Sequence, residues 1–198
     1  MKQIGHEIQK LESIINADTV FFFDMDGTLV DTNLANFLSY KRAILSVTKS
    51  DHNLIYNVGN RFNRISLKNA IPDLTQIEFE RIIKKKDEYY DDFLHEITLN
   101  AEVANFLTKY SKSNKTFLVS NCRKERAMKT LNYFGLADKF TSIFCKQFSD
   151  NYEKNNKFQN AISKLGVRPN YVVVFENENS EINHAKIAGI PTNNILIV

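Results

Sequence analysis

Residues 21–32 read Phe-Phe-Phe-Asp-Met-Asp-Gly-Thr-Leu-Val-Asp-Thr, an apolar run that ends abruptly in two aspartates separated by one residue. The run from Thr19 to Phe23 is aromatic and β-branched without alternation, as expected of a strand buried on both faces of a parallel sheet. Ligands of open parallel sheets bind beyond the carboxyl ends of the strands. Asp24 and Asp26 therefore fall in a binding crevice, and alternation along an extended segment puts both on one side. Two carboxylates about 4 Å apart repel by roughly 4 kcal/mol at an effective dielectric of 20. A metal ion or a shared proton relieves such a pair. A hard cation such as Mg²⁺, which keeps several waters and bridges to phosphate, meets the need. Gly27 supplies a turn and lets backbone N–H groups approach an anion.

Outward from this stretch, further apolar runs recur at 116–119, 142–145, 171–175 and 195–198. The run at 142 is the weakest and is expected near a sheet edge. Helical patterns fill the intervals at 123–134, 156–165 and 181–188, followed by Gly135, Gly166 and Gly189 where helix C-caps favour glycine. Strands alternating with helices predict an α/β fold, a doubly wound parallel sheet of Rossmann-like type. The interval 32–98 has no convincing strand and reads as helices at 34–47, 53–70 and 75–97. That is too long for a crossover connection. It is expected to be an inserted helical cap, with the α/β core formed by 1–31 and 99–198. Within the core, Ile4, Ile8, Leu11 and Ile15 mark an amphipathic helix over 1–18.

These motifs resemble the haloacid dehalogenase superfamily, whose phosphatase members carry DxDGT at the end of the first strand. The match here is Asp24-Met25-Asp26-Gly27-Thr28. The resemblance implies that Asp24 is a nucleophile forming an aspartyl-phosphate. It implies that Asp26 is the general acid/base and also ligates magnesium through its backbone carbonyl. The dehalogenases that name the family lack the second aspartate, so Asp26 argues for phosphate chemistry. Ser120-Asn121, after the second strand, match a hydroxyl and a main-chain N–H that donate to the phosphoryl group. Gly27 and Thr28 belong to the same phosphate-binding set.

A lysine that neutralises phosphate and nucleophile is expected next. Lys154, eleven residues before Leu165, matches the family spacing, with Lys157 and Lys146 as rivals. The segment after the strand at 171–175 resembles VFEDSxxGIxAAxAAG, and there the chain departs from the pattern. The metal-binding aspartate falls on Asn177, with Glu176 the first candidate to supply a carboxylate oxygen and Glu178 the second. A cap between the first two motifs resembles the phosphoglycolate phosphatase and β-phosphoglucomutase branch. In the cap, Gly59-Asn60-Arg61-Phe62-Asn63-Arg64 is similar to a substrate loop, which makes Arg61 and Arg64 candidate contacts to substrate.

Composition narrows the classes. A net charge of +3 over 198 residues gives no electrostatic case for nucleic acid. Two cysteines, Cys122 and Cys145, make no secreted disulfide framework. No stretch approaches the ~18 apolar residues of a membrane span. Lysine and glutamate interrupt the apolar residues of the N-terminal segment, which is unlike a signal peptide. The expectation is a cytoplasmic, magnesium-dependent phosphatase acting on a small phosphorylated metabolite such as a sugar phosphate. The alternatives are a phosphomutase, or a weakly active phospho-ligand binder if Asn177 impairs the metal site.

Overall fold

The computed structural model describes residues 2–146 and 156–198, with side chains from Gly5 to Cys145 and from Asn156 onward. Contacts divide the chain into two compact units, Met1–Val30 with Leu99–Val198, and Asp31–Thr98.

The first unit is built on β1 (Val20–Phe23), the strand that opens the decisive stretch. It pairs in parallel with β4 (Lys115–Arg123) on one side and β6 (Val172–Glu176) on the other. Next to these lie β5 (Ser142–Lys146) and β7 (Ile195–Ile197), giving a five-stranded parallel sheet in the order β5-β4-β1-β6-β7. The weakest apolar run thus forms an edge strand. β4 is longer than its apolar run, because it continues through Ser120 to Arg123 with a register shift against β5.

Four consecutive buried residues in β1 need cover on both faces. Val20 and Phe22 join Phe117, Val119, Val172 and Val174 under Phe158, Ala161 and Ala185. Those last three come from α7 (Lys157–Leu165) and α8 (Asn179–Ile187). On the opposite face Phe21 meets Phe106 with ring centres 5.2 Å apart, and Phe23 stacks on Phe175 at 4.7 Å. Phe106 belongs to α5 (Ala101–Tyr110), a helix the sequence reading did not anticipate. Burying rings of this size against one another supplies several kcal/mol of apolar stabilisation per pair. The remaining helices of this unit are α1 (Lys2–Glu12) and α6 (Lys124–Tyr133). The first stops short of residue 18 because Asn16 and Thr19 draw the backbone into side-chain hydrogen bonds: Asp18 N–H to Asn16 Oδ1 at 2.9 Å, and Asn16 N–H to Thr19 Oγ1 at 3.0 Å.

The second unit is helical. α2 (Asn33–Thr48), α3 (Arg64–Ala70) and α4 (Gln76–Tyr89) enclose Tyr40, Ala43, Ile44, Leu67, Ile71 and Ile82, followed by a 3₁₀ turn over Tyr90–Glu96. Thr75 and Glu78 form a capping box at the start of α4. The helix expected over 53–70 is shorter. His52, Asn53 and Gly59 adopt positive φ, and the helix starts only where Asn63 caps the N–H groups of Ile65 and Ser66. The chain leaves and re-enters the α/β unit through a two-stranded ribbon of β2 (Val30–Asp31) and β3 (Thr98–Leu99). Among the described residues no helix is long and apolar enough to cross a membrane.

Candidate active site

Register places the site. Phe23 pairs with Leu118 of β4 and with Phe175 of β6, so the next residues, Asp24 and Glu176, emerge side by side at the carboxyl edge. The Asp24 N–H donates to the Phe175 carbonyl at 3.1 Å, which fixes the nucleophile candidate to β6 as well as to β1. Beyond it the backbone folds into a tight loop. The N–H groups of Leu29 and Val30 both donate to the Met25 carbonyl at 3.1 Å, and Gly27 N–H donates to Val30 O at 2.7 Å. Gly27 sits at φ +87°, a region side chains disfavour, and a Cβ there would come within 2.3 Å of the Asn177 side chain.

Lys157 begins α7, where Asn156 caps the helix through the N–H groups of Phe158 and Gln159. The Asn156 amide also donates to the His184 carbonyl of α8 at 3.0 Å, anchoring the helix start. From there the Lys157 ammonium donates to Asp24 Oδ1 at 2.8 Å and to Glu176 Oε2 at 2.7 Å, and lies 3.6 Å from Glu181 Oε2. Of the three lysines weighed from sequence, Lys157 is the one whose side chain is described, and it lies beside Asp24. Lys154 lies outside the described residues, and for Lys146 only the backbone, at the end of β5, is described.

One ammonium thus faces three buried carboxylates. Burial, followed by the repulsion of Glu176 and Asp26, outweighs Lys157 and raises Asp24 to about 7. Burial alone would lower Lys157, but Asp24 and Glu176 more than offset it and hold the ammonium above its ordinary value.

Glu176 is fully buried and both its oxygens are engaged within the protein. Oε2 accepts from Lys157, and Oε1 accepts from the N–H groups of Asn177 at 3.0 Å and Glu178 at 3.1 Å. Glu178 is exposed. The Asn177 amide satisfies both of its ends when its nitrogen faces the Asp26 carbonyl at 3.2 Å, Thr28 Oγ1 at 3.1 Å and Glu176 Oε1 at 3.3 Å. Thr28 is fully buried behind it. The Asp26 carboxylate is held by the Arg126 guanidinium of α6, with both side chains largely buried. Ser120 is buried within β4, with the Cys122 N–H 3.4 Å from its hydroxyl oxygen. Asn121 is exposed and donates through Nδ2 to Glu181 Oε1 at 3.1 Å.

Arg61 and Arg64 belong to the other unit. Arg61 donates to Thr32 Oγ1 at 2.9 Å and to Asn33 Oδ1 at 3.3 Å, while Arg64 is exposed at the first position of α3. Arg126 and Glu181 were not singled out from sequence. Each is a charged helix residue whose hydrogen-bond partner, Asp26 for Arg126 and Asn121 for Glu181, lies 60 residues or more away in the chain.

Among the described residues no three His, Cys, Asp or Glu side chains converge to hold a metal. The oxygens that remain for a hard cation are the second Asp24 oxygen, the Asp26 carbonyl and, with the amide turned over, Asn177 Oδ1. They fit Mg²⁺ in kind, since magnesium takes one or two carboxylates and completes its shell with water and phosphate. They carry one carboxylate charge, and turning the amide gives up its bonds to Asp26 and Glu176.

A buried aspartate at the edge of a parallel sheet, charge-paired to a lysine and followed by a glycine loop, defines a carboxylate-centred enzyme of the doubly wound α/β class. The chain belongs to the haloacid dehalogenase-like hydrolases: that family's description matches residues 21–195. It is 29% identical over 175 residues to a phosphorylated carbohydrates phosphatase of Thermotoga maritima, covering 85% of this chain and 80% of the relative. Among solved structures it is similar to a predicted phosphoglycolate phosphatase from Haemophilus somnus, with a TM-score of 0.71 and 22% identity over 89% of this chain and 84% of the other. It is also similar to β-phosphoglucomutase from Clostridium difficile, with a TM-score of 0.63 and 22% identity over 86% and 81%. At these identities the two structures speak for the fold.

Proposed function

We propose that this haloacid dehalogenase-like phosphatase hydrolyses a small phosphomonoester of the sugar-phosphate type through a phosphoryl group carried on Asp24. The observation that carries the reading is the buried contact of Lys157 with Asp24, supported on its far side by Glu176. An anion entering this edge meets an ammonium already bonded to the attacking carboxylate. The relative in Thermotoga maritima, by its name, acts on phosphorylated carbohydrates, which supports the substrate class.

In this reading Asp24 uses its free oxygen to attack phosphorus, and the bond from phosphorus to the leaving oxygen breaks. Asp26 gives that oxygen its proton and later takes one from the water that cleaves the acyl-phosphate. Lys157, the Ser120 hydroxyl and the Asn121 main-chain N–H face the phosphoryl oxygens, where fixed donors stabilise developing charge without reorganising. The Gly27 turn keeps the loop close enough to Asn177 for the Asp26 carbonyl and the amide to act at one point. Magnesium, held by Asp24, the Asp26 carbonyl and Asn177, would supply charge neutralisation for nucleophile and phosphate. Glu176 serves in this account as the anchor of Lys157 and of the 177–178 backbone. Asp31–Thr98 is read as the cap, with Arg61 and Arg64 as its candidate contacts to the leaving group.

The test is phosphate release from a panel of sugar phosphates and other small phosphomonoesters, with and without MgCl₂. Release from at least one member supports the reading. Conversion of a hexose 1-phosphate to its isomer without release would make the chain a mutase. Silence with every substrate would overturn catalysis.

A further inference from the structure

Glu181 lies in the first turn of α8 and is buried to 9% exposure, an uncommon place for a carboxylate unless it is paired. The segment that this region resembles carries glycine at the same place, so the entry into the helix does not demand an acid here. Its Oε1 accepts from Asn121 Nδ2 at 3.1 Å and stands 3.4 Å from His184 Nδ1. Its Oε2 is buried, makes no hydrogen bond among the described residues, and lies 3.6 Å from the Lys157 ammonium. Asn121 is on β4 and Glu181 follows β6, the two strands that flank β1. Their bond therefore crosses the end of the strand that delivers Asp24.

We infer that Glu181 is a positioning residue for phosphate: it straps Asn121 to α8 and steadies Lys157, so that donors from opposite sides of β1 converge on one anion. The inference rests on the proposed function, which gives Asn121 and Lys157 their phosphate-facing roles. A carboxylate close to an anion site repels the anion, and the neighbouring ammonium offsets that repulsion. What remains is orientation. Asn121 is exposed and lies between Ser120 and Arg123, where β4 shifts register against β5, so its side-chain bond to α8 helps hold the peptide that carries its N–H.

The test measures inorganic phosphate binding to the full chain by calorimetry in MgCl₂, with KM and kcat on the best phosphomonoester. Glu181→Ala and Asn121→Ala are each expected to weaken phosphate binding about tenfold, the scale of one charge-assisted hydrogen bond. The double variant is expected to lose no more than Glu181→Ala alone, because Asn121→Ala cuts the same strap. Glu181→Gln, which keeps an acceptor for Asn121, is expected to recover most of the loss, and the effect to fall on KM more than on kcat. Binding within twofold of the parent chain in Glu181→Ala, losses that multiply in the double variant, or a parent chain that binds no phosphate would each overturn the inference. If Glu181→Ala does not fold, Asn121→Ala cuts the strap from its exposed end, and unchanged phosphate binding there overturns it equally. A parent chain that binds phosphate yet hydrolyses nothing refutes the phosphatase reading and leaves the strap to be judged on binding alone.

Discussion

The Lys157 ammonium donates to Asp24 Oδ1 at 2.8 Å inside a group of three carboxylates, and it is the cation that lets Asp24, Glu176 and Glu181 lie buried together. Removing it strands their charge. Lys157→Met is expected to cost on the order of 3–5 kcal/mol of stability, as for other broken buried pairs. Phosphatase activity should fall by at least about a hundredfold. Urea unfolding and phosphate release check the two effects. An active, equally stable variant would mean that the ammonium serves neither purpose.

The raised value of Asp24 has a sign that can be read from stability. Between the ordinary carboxylate range and about 7, the folded chain keeps a proton that the unfolded chain has lost. The stabilisation from this group is therefore present at low pH and declines as pH rises through that window. Asp24→Asn removes the dependence. In EDTA its melting temperature is expected to exceed that of the parent chain by more at pH 8 than at pH 5. A difference independent of pH would show that Asp24 ionises normally.

Asn177 places a neutral amide where the resembling segment has an aspartate, and that amide lies beside the Asp26 carbonyl. Asn177→Asp restores the charge and is expected to tighten Mg²⁺ binding about tenfold or more, read by calorimetry and by the MgCl₂ concentration for half-maximal phosphate release. An unchanged or weaker affinity would place the cation away from residue 177.

Gly27 combines φ +87° with a Cβ path blocked at 2.3 Å by the Asn177 side chain. Gly27→Ala must therefore displace either the loop or Asn177. It is expected to lower stability by about 1–3 kcal/mol and to reduce activity more than the stability loss explains. Thermal melts and kinetics on the same preparation separate the two.

Much of this architecture is visible in the chain because β1, β4 and β6 are buried on both faces and must be written as unbroken apolar runs. The two aspartates after β1 are equally plain, since local geometry alone sends them to the sheet edge. What escapes is whatever depends on distant partners. Lys157 was one of three lysines until the cap at Asn156 fixed where its helix starts. Arg126 and Glu181 look like solvated helix charges, and their hydrogen bonds to Asp26 and Asn121 span 100 and 60 residues of chain. α5 escaped for a different reason. Its buried Val103, Ala104, Phe106 and Leu107 follow helical spacing, but they come directly after the ribbon at Leu99, at the boundary expected between cap and core. The overlong helix at 53–70 shows the reverse error, a helix expected across Asn53 and Gly59, which both adopt positive φ.

The central claim is that Asp24 carries the phosphoryl group, and Asp24→Asn tests it most directly, by phosphate release from the best substrate of the panel alongside a circular-dichroism melt. The expected result is release reduced to the uncatalysed background in a variant that melts as one cooperative unit at or above the parent temperature. Release at the parental rate from that folded variant would contradict the account.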